Sequence, residues 1–249
     1  SSGSTVSPEF TFSDFETLQG GTFADTFNVN EDYTADLDGG SGDDTFNLNG
    51  VLTGNVDGDF GTDTLQGSLV DDVTLSGVGT DDGFQGNEPD LTHFDNIDAL
   101  FGNGGTLTGL SEPSIWRLDG TPTYEAGGNV LEIGGFANLQ GGDSTDDFLV
   151  TEDSTFNLFG GGDTDLFDIS NGATLTGSIA GQSETDTLQG EEINDVTLFG
   201  SASDGFSGGE LNITGNFSGI NVITGNGGRI LGIGVASTWL LDGTPTYSN

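Results

Sequence analysis

The sequence predicts an all-β protein, a parallel β-solenoid of about 12 coils in two tandem modules. Three observations support this fold class. Long segments recur once along the chain, a shorter period of about 20 residues runs within each half, and Gly-punctuated stretches alternate apolar with polar residues. Long helix-periodic stretches are missing, and Gly at 45 positions would penalise a helix at nearly every turn.

The long repeat divides the chain into two modules. "WRLDGTPTY" at 116–124 returns as "WLLDGTPTY" at 239–247, a shift of 239 − 116 = 123 residues. "TDTLQG" recurs with the same shift, and "LQGG" recurs with a shift of 121. We therefore expect module 1 over residues 1–128 and module 2 over residues 129–249, continuous with it. Trp116 and Trp239 stand at equal phase and are expected to pack in a core or groove.

The short period predicts the coil and its interior. "DTF" at 25–27, "DTF" at 44–46 and "DTL" at 63–65 follow one another at intervals of 19 residues. Segments such as "TFNLNG" have the two-residue alternation of strands with one face turned inward. An antiparallel sandwich also uses short alternating strands, but it does not need the same residue at the same phase of every coil. We expect the apolar residue of each coil to be buried: Phe27, Phe46, Leu65, Phe148, Phe167 and Leu188.

The charge excludes several classes of partner. Against 41 Asp and Glu residues stand only Arg117 and Arg229, which gives a formal net charge of −39. Nothing could neutralise phosphates, so we expect no nucleic-acid partner. No apolar run approaches membrane-spanning length, so we expect no membrane insertion. The carboxylates either form a solvated acidic surface or await cations.

Several phrases resemble the tandem modules of giant bacterial surface exoproteins. "GGSGDDTFNLNG", "LTGNVDGDFGTDTLQG", and "FETLQGG" with its partner "FANLQGG" are similar to repeats of the filamentous-haemagglutinin type, with degenerate haemolysin-type (RTX) calcium-binding repeats. The resemblance covers nearly the whole chain, although its motifs are low in complexity. It implies a right-handed β-helix, an extracellular or cell-surface location, and a role in adhesion or in an extracellular matrix.

One stretch matches the calcium-binding nonapeptide of those repeats. "GGSGDDTFN" at 39–47 agrees with G-G-x-G-x-D-x-U-x at every defined position, where U is large and apolar. Such turns offer carbonyl and carboxylate oxygens, the ligands that Ca²⁺ prefers. The units recur here once per coil, whereas true arrays place them nine residues apart, so the alternative is a simple solvated turn. The candidate Ca²⁺ ligands are Asp25, Asp43, Asp44, Asp63, Asp146 and Asp165.

The residue inventory argues against an enzyme. Several polysaccharide-degrading enzymes are parallel β-helices, but fold alone does not decide function. The chain has no Lys, no Cys and one His, His93, and repeated Asp turns give no singular pair of carboxylates in a cleft. We expect no catalytic activity, and sustained release of reducing ends from acidic or neutral polysaccharides would contradict this.

Two structural roles remain open from the sequence. A solenoid has open edges at both ends, which pair with other chains unless something caps them. Copies stacked end to end would make a head-to-tail contact, which generates an open filament, and the partner would then be the chain itself. The alternative is a stalk or binding segment of a giant bacterial adhesin, with glycans or cell surfaces as partners.

Overall fold

A computed structural model describes residues 10–241 and 244–249. Within these ranges the chain forms 25 β-strands and no helix, which confirms the all-β prediction. One sheet contains 23 of the strands, and the last two strands form a separate pair. No helix long and apolar enough to cross a membrane occurs in the described part of the chain.

The strands are short in most of the chain and longer near the module boundary. In module 1 they are β1 (Thr17–Gln19), β2 (Thr26–Val29), β3 (Asp36–Asp38), β4 (Thr45–Leu48), β5 (Leu52–Asp57), β6 (Thr64–Gln66), β7 (Val73–Val78), β8 (Phe84–Glu88), β9 (Leu91–Ile97), β10 (Ala99–Thr108), β11 (Ser114–Leu118) and β12 (Thr123–Ala126). They continue as β13 (Asn129–Gln140), β14 (Asp146–Val150), β15 (Asn157–Gly161), β16 (Leu166–Ile169), β17 (Ile179–Gln182), β18 (Thr187–Gln189), β19 (Asp195–Ala202), β20 (Gly205–Glu210), β21 (Ile213–Ile220), β22 (Val222–Thr224), β23 (Arg229–Leu231), β24 (Thr238–Leu240) and β25 (Thr246–Ser248).

Parallel pairing between strands 19 residues apart organises the first part of the sheet. Strands β2, β4 and β6 pair in parallel, with Phe27 opposite Phe46 and Phe46 opposite Leu65. Strands β14, β16 and β18 repeat the pattern in module 2. Strands β1, β3 and β5 form a second set that also pairs in parallel. Along the sequence, the strands of this set alternate with those of the first set. Parallel ladders of this kind differ from the antiparallel pairing that a sandwich requires.

Aromatic side chains stack along the ladders. The rings of Phe27 and Phe46 lie 5.0 Å apart at an interplanar angle of 9°, and those of Phe148 and Phe167 lie 5.1 Å apart at the same angle. The predicted burial is confirmed for Phe46, Leu65, Phe148, Phe167 and Leu188, each 0% exposed. Phe27 differs from the prediction because it is only half-buried; among the described residues one ring, that of Phe46, stacks on it, whereas Phe148 has a stacked ring on each side.

Antiparallel insertions interrupt the ladders at matching places in the two modules, and the repeat pattern did not predict them. Strands β7, β8 and β9 form an antiparallel triplet, as do β19, β20 and β21. The alternation of apolar and polar residues is the same in parallel and antiparallel strands, so it does not reveal the direction of pairing.

Candidate functional site: the aspartate columns and the module junction

A column of aspartates follows the parallel strands of module 1. The backbone N–H of Asp25 donates to Oδ1 of Asp44 at 2.7 Å, and the N–H of Asp44 donates to Oδ1 of Asp63 at 2.7 Å. The N–H of Asp63 then donates to Oδ2 of Asp98 at 3.0 Å, across the antiparallel insertion. Each accepting carboxylate therefore satisfies the backbone N–H just before the equivalent strand one repeat earlier.

Module 2 carries the same column with a different last member. The N–H of Asp146 donates to Oδ1 of Asp165 at 2.9 Å, and that of Asp165 donates to Oδ1 of Asp186 at 3.0 Å. The N–H of Asp186 donates to Oδ1 of Asn221 at 3.0 Å. The interval to this last partner is 35 residues, as it is from Asp63 to Asp98. An asparagine oxygen can therefore fill this acceptor position without a charge.

A glycine five residues before each aspartate makes room for the carboxylate. A Cβ placed on Gly39 would lie 2.3 Å from Oδ2 of Asp44, and one placed on Gly160 would lie 2.2 Å from Oδ2 of Asp165. Such distances are far below van der Waals contact, so a side chain there would displace the carboxylate. The glycine and aspartate form one unit of the pattern G-x₄-D, which occurs at 20/25, 39/44, 58/63, 141/146, 160/165 and 181/186.

The inner aspartates are sealed from solvent. Asp63, Asp146 and Asp186 are 0% exposed and Asp165 is 1% exposed. Burial raises the pKa of Asp63 to about 7 and that of Asp165 to about 8, partly offset by the backbone hydrogen bonds that they accept. Burial also raises the pKa of Asp146 and of Asp186 to about 6. Desolvation disfavours the charged carboxylate, so part of the column is protonated near neutral pH.

One oxygen of four column members has no hydrogen-bond partner within the described residues. These atoms are Oδ2 of Asp44, Asp63, Asp165 and Asp186, all of them buried. Protonation gives the carboxyl group a neutral form whose desolvation costs less than that of the anion. Asp146 is satisfied differently, because it accepts from the N–H of Gly142 at 2.9 Å and from the hydroxyl of Ser114.

The six predicted calcium ligands fall into three places. Asp25, Asp44 and Asp63 share the first column, and Asp146 and Asp165 share the second. Asp43 is exposed, and its Oδ1 accepts from the N–H of Thr62 at 3.1 Å. Nowhere in residues 10–241 and 244–249 do three His, Cys, Asp or Glu side chains gather around one point that could hold a metal ion. Calcium binding by these residues stays a prediction.

Sequence reasoning missed three members of the columns, Asp98, Asp186 and Asn221. The signal for Asp186 was available, because the G-x₄-D spacing recurs at Gly181 and Asp186. Asp98 and Asn221 lie beyond an insertion and lack that spacing, so the short period alone could not assign them. Their offset of 221 − 98 = 123 residues, equal to the module shift, does relate them.

The junction between the modules is an aromatic cluster. The rings of Trp116 and Tyr124 lie 4.4 Å apart, and Trp116 stacks on Phe148 at 5.5 Å and 9°. Strand β11 pairs in parallel with β14, placing Trp116 opposite Phe148, and β10 pairs with β13, placing Leu107 opposite Leu139. All five of these side chains are 0% exposed. Trp116 and Leu107 belong to module 1, and their partners Phe148 and Leu139 belong to module 2.

The C-terminal end of the chain repeats one half of this junction. The rings of Trp239 and Tyr247 lie 4.5 Å apart at 55°, compared with 57° for Trp116 and Tyr124. The hydroxyl of Tyr247 accepts from the N–H of Ile233 at 2.9 Å, as that of Tyr124 does from Leu110 at 2.8 Å. Trp239 is nevertheless 44% exposed. Two other exposed apolar side chains, Ile230 and Leu241, line the same cavity as Trp239.

The N-terminal end presents the other half. Phe27 and Leu18 correspond to Phe148 and Leu139 by the offset of 121 residues, and both are only half-buried. They line an open apolar cavity of 530 Å³ together with Phe12, Tyr33 and neighbouring residues. A cavity of 410 Å³ at the C-terminal end is lined in part by Ile223, Ile230 and Trp239. Both ends therefore expose surfaces that the junction buries.

The chain matches no protein-family model, no curated protein and no solved structure. The resemblance to surface exoprotein repeats therefore remains an expectation from the sequence motifs.

Proposed function

We propose that this chain is an extracellular structural protein that stacks head to tail into β-solenoid fibres of a cell-surface or biofilm matrix. The observation that carries the proposal is the match between the buried module junction and the two exposed ends. The junction joins a surface with Trp116 and Tyr124 to a surface with Phe148 and Leu139. The two ends of the chain expose an equivalent of each surface. A head-to-tail contact between different surfaces of identical copies produces an open filament.

The coiling of the chain into a solenoid is part of this proposal. Successive strands alternate between two parallel sets, β1, β3 and β5 in one and β2, β4 and β6 in the other. The isolated bridges Tyr33 to Leu52 and Ser41 to Phe60 each join positions 19 residues apart, so parallel pairing also occurs outside the strand pairs of the two sets. A chain that returns to the same set every 19 residues is expected to wind, and parallel crossovers are right-handed in nearly all proteins.

The register of the proposed contact follows from the internal one. Trp116 lies opposite Phe148, so Trp239 of one copy would lie opposite Phe27 of the next. Leu107 lies opposite Leu139, so Ile230 would lie opposite Leu18. Burying these side chains removes apolar area from water, which favours association by roughly 25 cal/mol per Å² before the entropic costs of binding.

Electrostatic repulsion opposes this assembly. The formal net charge of −39 makes approach of two copies unfavourable at low salt. Cations that screen or bind the carboxylates would favour the fibre, which gives the predicted Ca²⁺ a role in its stability. The adhesin alternative uses the same stacking within a longer polypeptide, and no feature of the described residues distinguishes a binding surface for glycans.

Electron microscopy of the purified chain tests the proposal. We expect continuous fibres from the wild-type chain in the presence of salt, and discrete particles from the Ile230→Asp variant, because a carboxylate would be buried opposite Leu18. The matched control is Val130→Asp, which adds the same charge at a side chain that is 54% exposed within the chain's middle. Discrete short rods from the wild-type chain under all salt conditions would contradict the fibre and favour the adhesin stalk.

A further inference from the structure

The hairpin of β24 and β25 is separated from the rest of the sheet. It forms a two-stranded sheet of its own, whereas the other 23 strands are connected. The corresponding hairpin of module 1, β11 and β12, is part of the large sheet. The first hairpin therefore has a pairing with the large sheet that the second hairpin lacks among the described residues.

Strand β13 joins the first hairpin to the sheet. Its first half pairs antiparallel with β12, with Leu131 opposite Tyr124. The same half pairs in parallel with β10, with Ile133 opposite Leu100. In module 2 the equivalent of β12 is β25, and the equivalent of the first part of β10 is β22. They pair with β24 and β18 and with no shared strand among the described residues. One strand position is therefore open between β22 and β25.

The N-terminal segment has the side chains that fit this position. By the module offset of 121 residues, Phe10, Phe12 and Phe15 correspond to Leu131, Ile133 and Phe136. The three module 2 residues are 0%, 1% and 4% exposed, whereas Phe10, Phe12 and Phe15 are 84%, 50% and 57% exposed. We call residues 10–15 the aromatic segment. It has the apolar pattern of an inner strand but forms no strand in the single chain.

Backbone geometry supports the same equivalence. Gly135, within β13, has φ = 76°, and Asp14 at the corresponding position has φ = 61°. A positive φ is uncommon for residues other than glycine, and aspartate is among those that tolerate it best. The aromatic segment therefore already has the local bend that β13 uses between Ile133 and Phe136.

The surface that would receive the aromatic segment has a glycine at the same position as the junction. A Cβ on Gly102 would lie 2.5 Å from the ring of Phe136, so this glycine is required by the ring that covers it. Gly225 stands at the corresponding position of module 2, and the three atoms nearest to a Cβ placed there are backbone atoms, the closest at 3.0 Å. A ring such as that of Phe15 could therefore lie over Gly225, as the ring of Phe136 lies over Gly102.

We infer that the aromatic segment of one copy inserts as a strand between β22 and β25 of a second copy. This inference rests on the proposed function and names the segment that joins the copies. Phe10 would lie opposite Tyr247, and Phe12 would lie beside Ile223, as Leu131 and Ile133 do at the junction. Strand addition of this kind combines main-chain hydrogen bonds with side-chain pockets, and it removes an exposed edge.

The double variant Phe10→Ser/Phe12→Ser tests the inference in the full chain. Both rings are exposed in the single chain, so the variant should fold with an unchanged melting temperature. We expect its fibre yield, measured by sedimentation and electron microscopy, to fall at least tenfold. The matched control is Phe60→Ser/Phe199→Ser, which removes two rings that are each 55% exposed and lie outside the aromatic segment. It should form fibres like the wild-type chain.

A synthetic peptide of residues 10–19 provides a second readout that does not require fibres. We expect it to bind the Phe10→Ser/Phe12→Ser chain with one peptide per chain by calorimetry. It should slow hydrogen exchange at β22 and β25, and a peptide with both Phe residues replaced by Ser should do neither.

The outcomes separate the inference from the fibre proposal. Peptide binding by a chain that never forms fibres would support the strand position and overturn the fibre. Wild-type fibres that form equally from the double variant, together with no peptide binding, would overturn the strand insertion and leave the fibre proposal standing.

Discussion

The backbone N–H of Asp146 donates to the carboxylate of Asp165 at 2.9 Å, and both side chains are almost completely buried. The acceptor is an acid whose pKa burial raises to about 8. The same group thus fixes the spacing of adjacent strands and carries a proton whose loss is costly. Stability and pH are therefore coupled through the columns.

The first prediction concerns pH. Folded pKa values above the ordinary aspartate value mean that the stabilising protonated form is fully present below about pH 4 and is lost as pH rises through about 6 to 8. We expect the free energy of unfolding to decrease across this range. Asp165→Asn keeps the acceptor oxygen, as Asn221 does naturally, and should stabilise the fold at pH 8 by about 2 kcal/mol.

The control for this prediction is Asp43→Asn, which removes one charge from an exposed position. Urea unfolding of both variants at pH 5 and pH 8 separates a column effect from a general loss of repulsion. Equal stabilisation by both variants at pH 8 would show that net charge, and not the buried column, sets the pH dependence.

The second prediction concerns the glycine that accompanies each aspartate. Gly160→Ala places a Cβ 2.2 Å from Oδ2 of Asp165 and 2.6 Å from the carbonyl oxygen of Gly181. We expect a loss of about 2–3 kcal/mol in the free energy of unfolding, because the carboxylate or the strand must move. Gly162→Ala is the matched control, since its Cβ would approach no atom closer than 3.3 Å. A similar loss in both variants would indicate a general cost of replacing glycine.

The third prediction concerns the two tryptophans. Trp116→Ala should destabilise the single chain by about 3–5 kcal/mol, because it empties a fully buried site. Trp239→Ala removes a ring that is 44% exposed and should cost the single chain much less while it weakens fibre formation. Thermal melts under dilute conditions, followed by fibre sedimentation, check both halves. Equal destabilisation would contradict the assignment of Trp239 to an interface between copies.

The fourth prediction concerns calcium. We expect Ca²⁺ to raise the melting temperature more than NaCl of equal ionic strength, because divalent ions neutralise a dense array of carboxylates more effectively. The variant Asp25→Asn/Asp44→Asn/Asp63→Asn locates the effect. Loss of the difference assigns Ca²⁺ to the column, and an unchanged difference assigns it to exposed carboxylates such as Asp43. Identical melting temperatures in the two salts would contradict calcium stabilisation.

Much of the fold could be predicted from the repeats. The 19-residue interval placed Phe46 on Leu65 and Phe148 on Phe167, because identical phase in a parallel array means direct stacking. The antiparallel strands β8 and β20 could not be predicted, since their alternation resembles that of the parallel strands around them. The burial of Asp44 and Asp165 was missed as well. A sequence shows that an aspartate follows a turn, but it does not show that a glycine five residues earlier receives the carboxylate.

The open strand position between β22 and β25 lies near the C-terminal end of the described chain, and the aromatic segment lies at its N-terminal end. Each copy added at either end fills one of these features and exposes another of the same kind. A filament of any length therefore keeps one open strand position and one unpaired aromatic segment. A filament built this way is polar, with chemically different tips. Its growth could be stopped selectively at one tip by a free strand and at the other by a hairpin without its own strand.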